Sequence, residues 1–424
     1  MSPATIDTEA SEFRRNFNTV SDCLGGTTVD PFPLYARMRR TTPVMQGDIL
    51  AQFGVPSQAD FMHTGRPVYT LFKYEDVLSV LKDPVTYTSG LLNEGFGLFL
   101  DGFLLTGMDV EQHKLARNLL APAFSAAAVA KWQQRVERIF HEEIIGPLKS
   151  RKRGDLFAEI MLPAPLRLIY AIIGFPNDRA EVEQFATWGM QILLGVTDAE
   201  GAAQRAQAAS RAIFEHCMPY IARRRAAGSG GEDLIGYLLR ANYDGRRLTD
   251  EEITSLIRQL LPAASETTTR SFGSIVVALL AHRAVIDRIR ADRSLVIKAI
   301  NEGLRWCTPS QFLARQCTRD VEIRGVPIAK GSALSLASGS ANRDEEIFPN
   351  AEEFDIDRLQ RPNAAFGFGA HLCLGMQVAK MEMSVMLNAL LDACPNVRLD
   401  PAVPPPQILG VQLRGPRQIQ VVWD

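Results

Sequence analysis

The sequence predicts a mainly α-helical protein with a minor β part, and three observations predict it. Helical periodicity dominates from residue 109 to about 300. One amphipathic run, opened by the capping box Thr249-x-x-Glu252, continues for roughly 30 residues, or ~45 Å of helix. Segments with the alternation and β-branching of strands are short and few.

Residues 1–30 show no clear periodicity and are expected to be loosely ordered. PFPLYARMRR (31–40) reads as a short helix, PVYTLF (67–72) as a strand and YEDVLSVLKD (74–83) as a helix. The stretch Thr88–Gly107, TSGLLNEGFGLFLDGFLLTG, is rich in Gly, Leu and Phe with only Glu94 and Asp101 charged, and its glycines argue against regular structure. It reads equally as a buried loop filling core or as a mobile apolar lid over a pocket. RRRAAGSGGED (223–233) is short and reads as a surface turn between helices. In the long helix, Ile253, Leu256, Ile257, Leu260 and Leu261 mark one face, and the pattern resumes at Ile275, Val276 and Leu279. Residues 317–340 alternate around turns at Arg324-Gly325 and Lys330-Gly331, and QIQVVW (418–423) suggests a last short strand pair.

Composition narrows the function classes. The formal net charge is −2, with both signs interspersed, which excludes the basic stripe of a nucleic-acid surface. No apolar run approaches the ~20 residues that span a bilayer. The start, MSPATIDTEASEFRRNF, lacks the apolar core of a signal peptide or anchor, so a cytoplasmic location is expected. The six cysteines, Cys23, Cys217, Cys307, Cys317, Cys373 and Cys394, form no C-x-x-C pair, which disfavours a zinc site or a dithiol motif.

One cysteine stands apart. In FGFGAHLCLG (366–375), Cys373 is surrounded by Gly367, Gly369 and Gly375, which let a backbone turn tightly and approach a flat partner. Leu374, Val378, Met381 and Val385 then share a helical face, which places Cys373 at a helix N-terminus. Unpaired N–H groups there favour a thiolate and suit a tightly held iron. A lone cysteine in such a place is ordinarily a plain buried residue at a cap. The spacing F-x-x-G-x-x-x-C-x-G, met at Phe366, Gly369, Cys373 and Gly375, reverses that preference.

On this motif the chain resembles the cytochrome P450 family, in its soluble bacterial form, from about residue 30 to the end. The resemblance implies a cytochrome P450 fold in which haem b is buried between the long central helix and the Cys-bearing loop, with 31–424 as one domain. It implies that Cys373 is the proximal ligand of the haem iron, a thiolate that favours O–O cleavage. Glu302-Gly-Leu-Arg305 is a weak motif by itself. The family pairs this Glu and Arg with a third basic residue, matched by Arg358, in a structural network. His113 and Arg117, one helical turn apart, match a pair that binds haem propionates, and Arg315 and His371 match further propionate contacts. Glu266 and Thr267 match the family's acid–alcohol pair, on a helix locally opened over the iron. Here the chain departs from the pattern. Ala264 replaces a glycine, and Pro262, which removes a backbone N–H and kinks a helix, precedes the pair.

The implied activity is a monooxygenase that inserts one atom of dioxygen, its co-substrate, into an apolar organic compound. The length holds no reductase or flavin domain, so electrons are expected from a ferredoxin, of 2Fe-2S type, with its reductase. An acidic ferredoxin would dock near Lys114 and Arg117. The expected substrate lining comprises 88–107, Trp188 to Leu194, Phe312, Leu313 and Ile408 to Leu413. Two other readings stay open: a peroxygenase or isomerase on the same fold, disfavoured by the acid–alcohol pair, and a non-catalytic haem protein.

Overall fold

Helices form wherever the sequence carries a 3.6-residue apolar stripe, and one long helix organises the rest. The computed structural model of the protein describes residues 11–27, 30–100, 104–176, 178–228 and 231–424. Nine helices matter below: α1 Glu12–Cys23, α2 Phe32–Thr41, α3 Tyr74–Lys82, α4 Val110–Leu120, α5 Arg179–Leu194, α6 Ala202–Ala226, α7 Asp250–Ala281, α8 Val296–Trp306 and α9 Met376–Ala393.

Helix α7 has 32 residues, which extends it ~48 Å. Its capping box is made in both directions: Glu252 N–H donates to Thr249 Oγ1 at 3.2 Å, and Thr249 N–H donates to Glu252 Oε2 at 2.9 Å. Helices α5, α6, α8 and α9 all pack on it. Its buried Leu256, Ile257, Leu261, Ile275 and Val276 join the main core, each contributing about 1.5–3 kcal/mol on burial.

Of residues 1–30, expected to be loosely ordered, 11–27 and 30 are described, and these include helix α1. Ser11 caps α1 by accepting from Arg14 N–H at 3.3 Å, and Phe13, Phe17 and Val20 are buried. They recur at i, i+4 and i+7, a helical stripe diluted by arginine and asparagine. Residues 1–10 lie outside the described part.

The expected strands form. The largest sheet runs in the order Val44–Gln46, Val68–Leu71, Ala333–Leu336, Leu313–Cys317, Tyr87–Thr88, with only Val68–Leu71 and Ala333–Leu336 parallel. Val321–Ile323 and Val326–Ile328 form the hairpin around Arg324-Gly325, and Gln420–Val422 pairs with both Arg398–Leu399 and Arg153–Asp155.

The stretch 88–107 folds into short turns in which Leu91, Phe99, Leu100, Leu104 and Leu105 are buried; its residues 101–103 lie outside the described part. It is also tied down. Leu105 N–H donates to Gln259 Oε1 of α7 at 3.0 Å, Glu94 pairs with Arg66, and Ser210 of α6 donates to the Phe99 carbonyl. No helix among the described residues is long and apolar enough to cross a membrane.

Candidate functional site

The loop before α9 fixes one thiol. Gly369 has φ +69°, and a Cβ there would lie 2.4 Å from the Leu81 carbonyl oxygen of α3, so only glycine lets the loop pass that close. Cys373 N–H donates to the Phe366 carbonyl at 2.8 Å, which closes the turn. Helix α9 starts at Met376 with Gly375 as its cap. A Cβ at Gly375 would meet nothing nearer than the Cys373 sulfur, at 4.0 Å.

Cys373 is accessible, although its sulfur is surrounded by other residues. Burial pushes this thiol up from its ordinary range. The N–H of Gly375, the Arg117 guanidinium and the N–H of Met376 oppose that push, and all three favour a thiolate. A bound metal cation would complete the shift, because a coordinating thiol is deprotonated outright.

Beside the thiol stands a cluster of cationic groups. His113 of α4 is buried, and its ring lies 4.0 Å from that of His371, tilted by 35°. Arg117, one turn along α4, turns inward towards Cys373, whereas Lys114 on the same helix is exposed. Arg315 is 6% exposed and donates to the Ala314 carbonyl at 2.7 Å. Desolvation lowers Arg315 to about 10, and the one anionic influence on it among the described residues is Asp109. Desolvation also lowers Arg117, with only Cys373 opposing among the described residues. His113 is lowered to about 4, first by burial and then by repulsion from His371 and Arg117.

Four cationic or imidazole groups therefore converge with little negative charge among them. A ligand bearing two carboxylates fits this deficit, because charged donors held at fixed positions bind carboxylates strongly. A haem has two propionates, so the residues present fit the group.

Asp109 also belongs to the cluster, and the sequence reading missed it. Its Oδ1 accepts from Ser89 N–H at 2.9 Å and lies 3.8 Å from His371 Nε2, and its Oδ2 accepts from the Thr88 hydroxyl. Desolvation raises this carboxyl, but hydrogen bonds from His371, Thr88 and Ser89 outweigh it and leave Asp109 below the usual range. The available signal was its place immediately before α4.

The weak motif of α8 is assembled as expected. Arg305 Nε and Nη2 donate to Glu302 at 2.8 and 2.7 Å, and Arg358 Nε donates to Glu302 Oε1 at 3.1 Å. Arg305 also holds the carbonyls of Asn342, Ala351 and Glu353, at 3.0, 2.8 and 2.9 Å. One buried carboxylate thus joins α8 to the chain leading into the Cys373 loop.

The middle of α7 carries the Glu266-Thr267 pair, and the helix continues through Pro262. The lost hydrogen bond costs one pairing, and the packing of α5, α6, α8 and α9 along α7 holds the line of the helix. Thr267 Oγ1 donates to the Ala263 carbonyl at 3.0 Å, one turn back. Glu266 is 2% exposed and ion-paired with Arg270.

The expected lining segment 408–413 is held by the residues just before Phe312: Gln311 N–H donates to the Gln412 carbonyl at 2.9 Å, and Ser310 bridges Leu413. The segment 88–107 meets the turn after α5, where a Cβ on Gly195 would lie 2.8 Å from the Phe99 ring.

Comparison with known proteins places these features in context. The family described as Cytochrome P450 matches residues 60–422. Cyclomarin C epoxidase CymV of Salinispora arenicola is 32% identical over 84% of this chain and 90% of its own length. Mycinamicin IV hydroxylase/epoxidase of Micromonospora griseorubida is 31% identical over 85% of this chain and 90% of its own. The crystal structure of CYP109E1 from Bacillus megaterium in complex with testosterone superimposes with TM-score 0.79 at 28% identity, covering 93% of this chain and 99% of that one.

Proposed function

Because the chain belongs to the cytochrome P450 family and is a monooxygenase of that family, we propose that it inserts one oxygen atom of dioxygen into a neutral, apolar organic substrate. The other oxygen atom leaves as water, and each turnover consumes two electrons and two protons. Haem, when bound, supplies the iron at which dioxygen is activated.

The chain's own residues divide the remaining work. Cys373 binds the iron through its sulfur, and the N–H groups of Gly375 and Met376 tune that sulfur's charge. Phe366, Gly369 and Gly375 shape the loop that presents it. His113, Arg117, Arg315 and His371 hold the two propionates. Thr267 gives its proton to the Ala263 carbonyl, which leaves its oxygen to accept a hydrogen bond and steady a water. Glu266 is the acid of the pair. Glu302, Arg305 and Arg358 are scaffold. The apolar segments 88–107, 188–194, 312–313 and 408–413 line the substrate and keep water out.

Electrons come from a ferredoxin, 2Fe-2S in type, with its reductase, docking at the face that carries the exposed Lys114. The cytoplasm is the expected location. Relatives named for oxidising mycinamicin IV and cyclomarin C, and a neighbouring fold crystallised with testosterone, support a bulky hydrophobic substrate.

The observation that carries the reading is the Cys373 thiol held between backbone N–H groups and Arg117, beside a cationic cluster short of carboxylates. Carbon monoxide added to the reduced, haem-loaded protein should give the far-red-shifted Soret band of a thiolate-bound haem. Cys373→Ser should abolish that band. A serine variant with the native spectrum would assign the iron to another ligand and end this reading.

A further inference from the structure

We propose that Arg270 is a positioning residue for proton delivery during dioxygen activation, and that helix α1 holds it in that role. The inference rests on the reading of Glu266 and Thr267 as the proton-delivering pair.

The geometry is specific. Glu266 and Arg270 lie one turn apart on α7, with side chains 2% and 1% exposed. Arg270 Nε donates to Glu266 Oε1. Its Nη2 donates to Ser21 Oγ of α1 at 2.7 Å, and its guanidinium carbon lies 4.6 Å from the centre of the Phe17 ring. The Ser21 hydroxyl spends its proton on the Phe17 carbonyl at 2.8 Å, so its oxygen is committed to accepting from Arg270.

The enclosure is completed from the other end of the chain. A Cβ on Gly415 would lie 2.7 Å from Cβ of Arg270. The same segment is bound to α1: Val411 and Gln412 N–H donate to the carbonyls of Gly25 and Leu24 at 3.1 and 3.2 Å, and Arg417 pairs with Asp22.

The chemistry follows from the difference between the two groups. A guanidinium keeps its proton, so Arg270 relays nothing and can only fix the direction of the carboxylate. To take up a proton from solvent water and pass it to the water steadied by Thr267, returning to the carboxylate, the Glu266 side chain must leave Arg270. How readily it leaves depends on how firmly α1 holds the guanidinium. An isolated arginine would follow the carboxylate, whereas one anchored on Ser21 and Phe17 stays behind. Helix α1, outside every motif of the site, thereby sets the mobility of the acid.

The test needs no identified substrate. Dioxygen is supplied to the haem-loaded protein with a plant-type ferredoxin, its reductase and NADPH. Two electrons and two protons convert each dioxygen to hydrogen peroxide; four electrons and four protons convert it to two waters. Arg270→Gln and Ser21→Ala should each change the peroxide fraction and the solvent isotope effect several-fold, Ser21→Ala less, with Arg270→Lys largely restoring both. In the haem-free protein, the infrared difference against Glu266→Gln isolates the Glu266 carboxylate band, which should shift in Arg270→Gln and Ser21→Ala.

Folding is followed by the carbon monoxide spectrum. If Arg270→Gln does not fold, Ser21→Ala and Arg270→Lys decide the question. If Glu266→Gln alters the peroxide fraction but the folded Arg270 and Ser21 variants leave it and the carboxylate band unchanged, Arg270 is only structural and the inference is overturned. If Glu266→Gln and Thr267→Ala also change nothing, the reading of the pair itself fails, and the inference with it.

Discussion

Arg305 grips Glu302 as a two-bonded fork, Nε to Oε2 at 2.8 Å and Nη2 to Oε1 at 2.7 Å, with both side chains no more than 2% exposed. Deleting one charge of such a pair strands the other in a medium that solvates it poorly. Glu302 carries two guanidiniums, since Arg358 shares its Oε1. Glu302→Gln should therefore cost about 3–5 kcal/mol of stability, read as a lower urea midpoint, and should weaken haem retention. A midpoint within error of the native one would show that the network does not support the fold.

Thr267→Ala should preserve the carbon monoxide spectrum, because the residue lies on α7 and not on the Cys373 loop. It should raise the hydrogen peroxide released per dioxygen consumed. Unchanged peroxide release would make the Thr267–Ala263 bond a helix contact only.

Lys114 is exposed on α4, while Arg117 on the same helix turns inward. Charge reversal at Lys114 should slow reduction by an acidic ferredoxin, most strongly at low salt, and leave haem binding intact. Stopped-flow reduction across a salt series measures this. A rate independent of the substitution would move the docking surface elsewhere.

His113 is lowered to about 4, mainly by burial, against roughly 6.5 in an unfolded chain. The unfolded state therefore takes up this proton first as the pH falls. The stability that His113 contributes is complete above about 6.5 and is lost progressively towards 4. Urea midpoints of the haem-free protein should fall across that window, and His113→Asn should flatten the fall. Haem loading should shrink it too, since a propionate beside His113 favours the protonated imidazole. An equal slope in the native protein and in His113→Asn would assign the titration to another group.

Much of the architecture was legible because it is local. A capping box, an i, i+3, i+4 stripe or a Gly-rich run before a cysteine leaves its mark within a few residues. Helix α7, the hairpin at Arg324-Gly325 and the turn before α9 were all read from such marks. Helix α1 was equally local but was overlooked, since Phe13, Phe17 and Val20 stand apart in a polar segment.

The sequence by itself determined the mainly helical class and the cysteine that stands apart. These depend on spacing along one chain, which covalent geometry fixes. Tertiary structure alone decided that Asp109 joins His371, that Arg117 faces Cys373 while Lys114 faces outward, and that Glu266 is held by an arginine anchored on α1. Burial and electrostatic pairing act between groups distant in sequence. Which carboxylate meets which cation is therefore settled only when the helices pack.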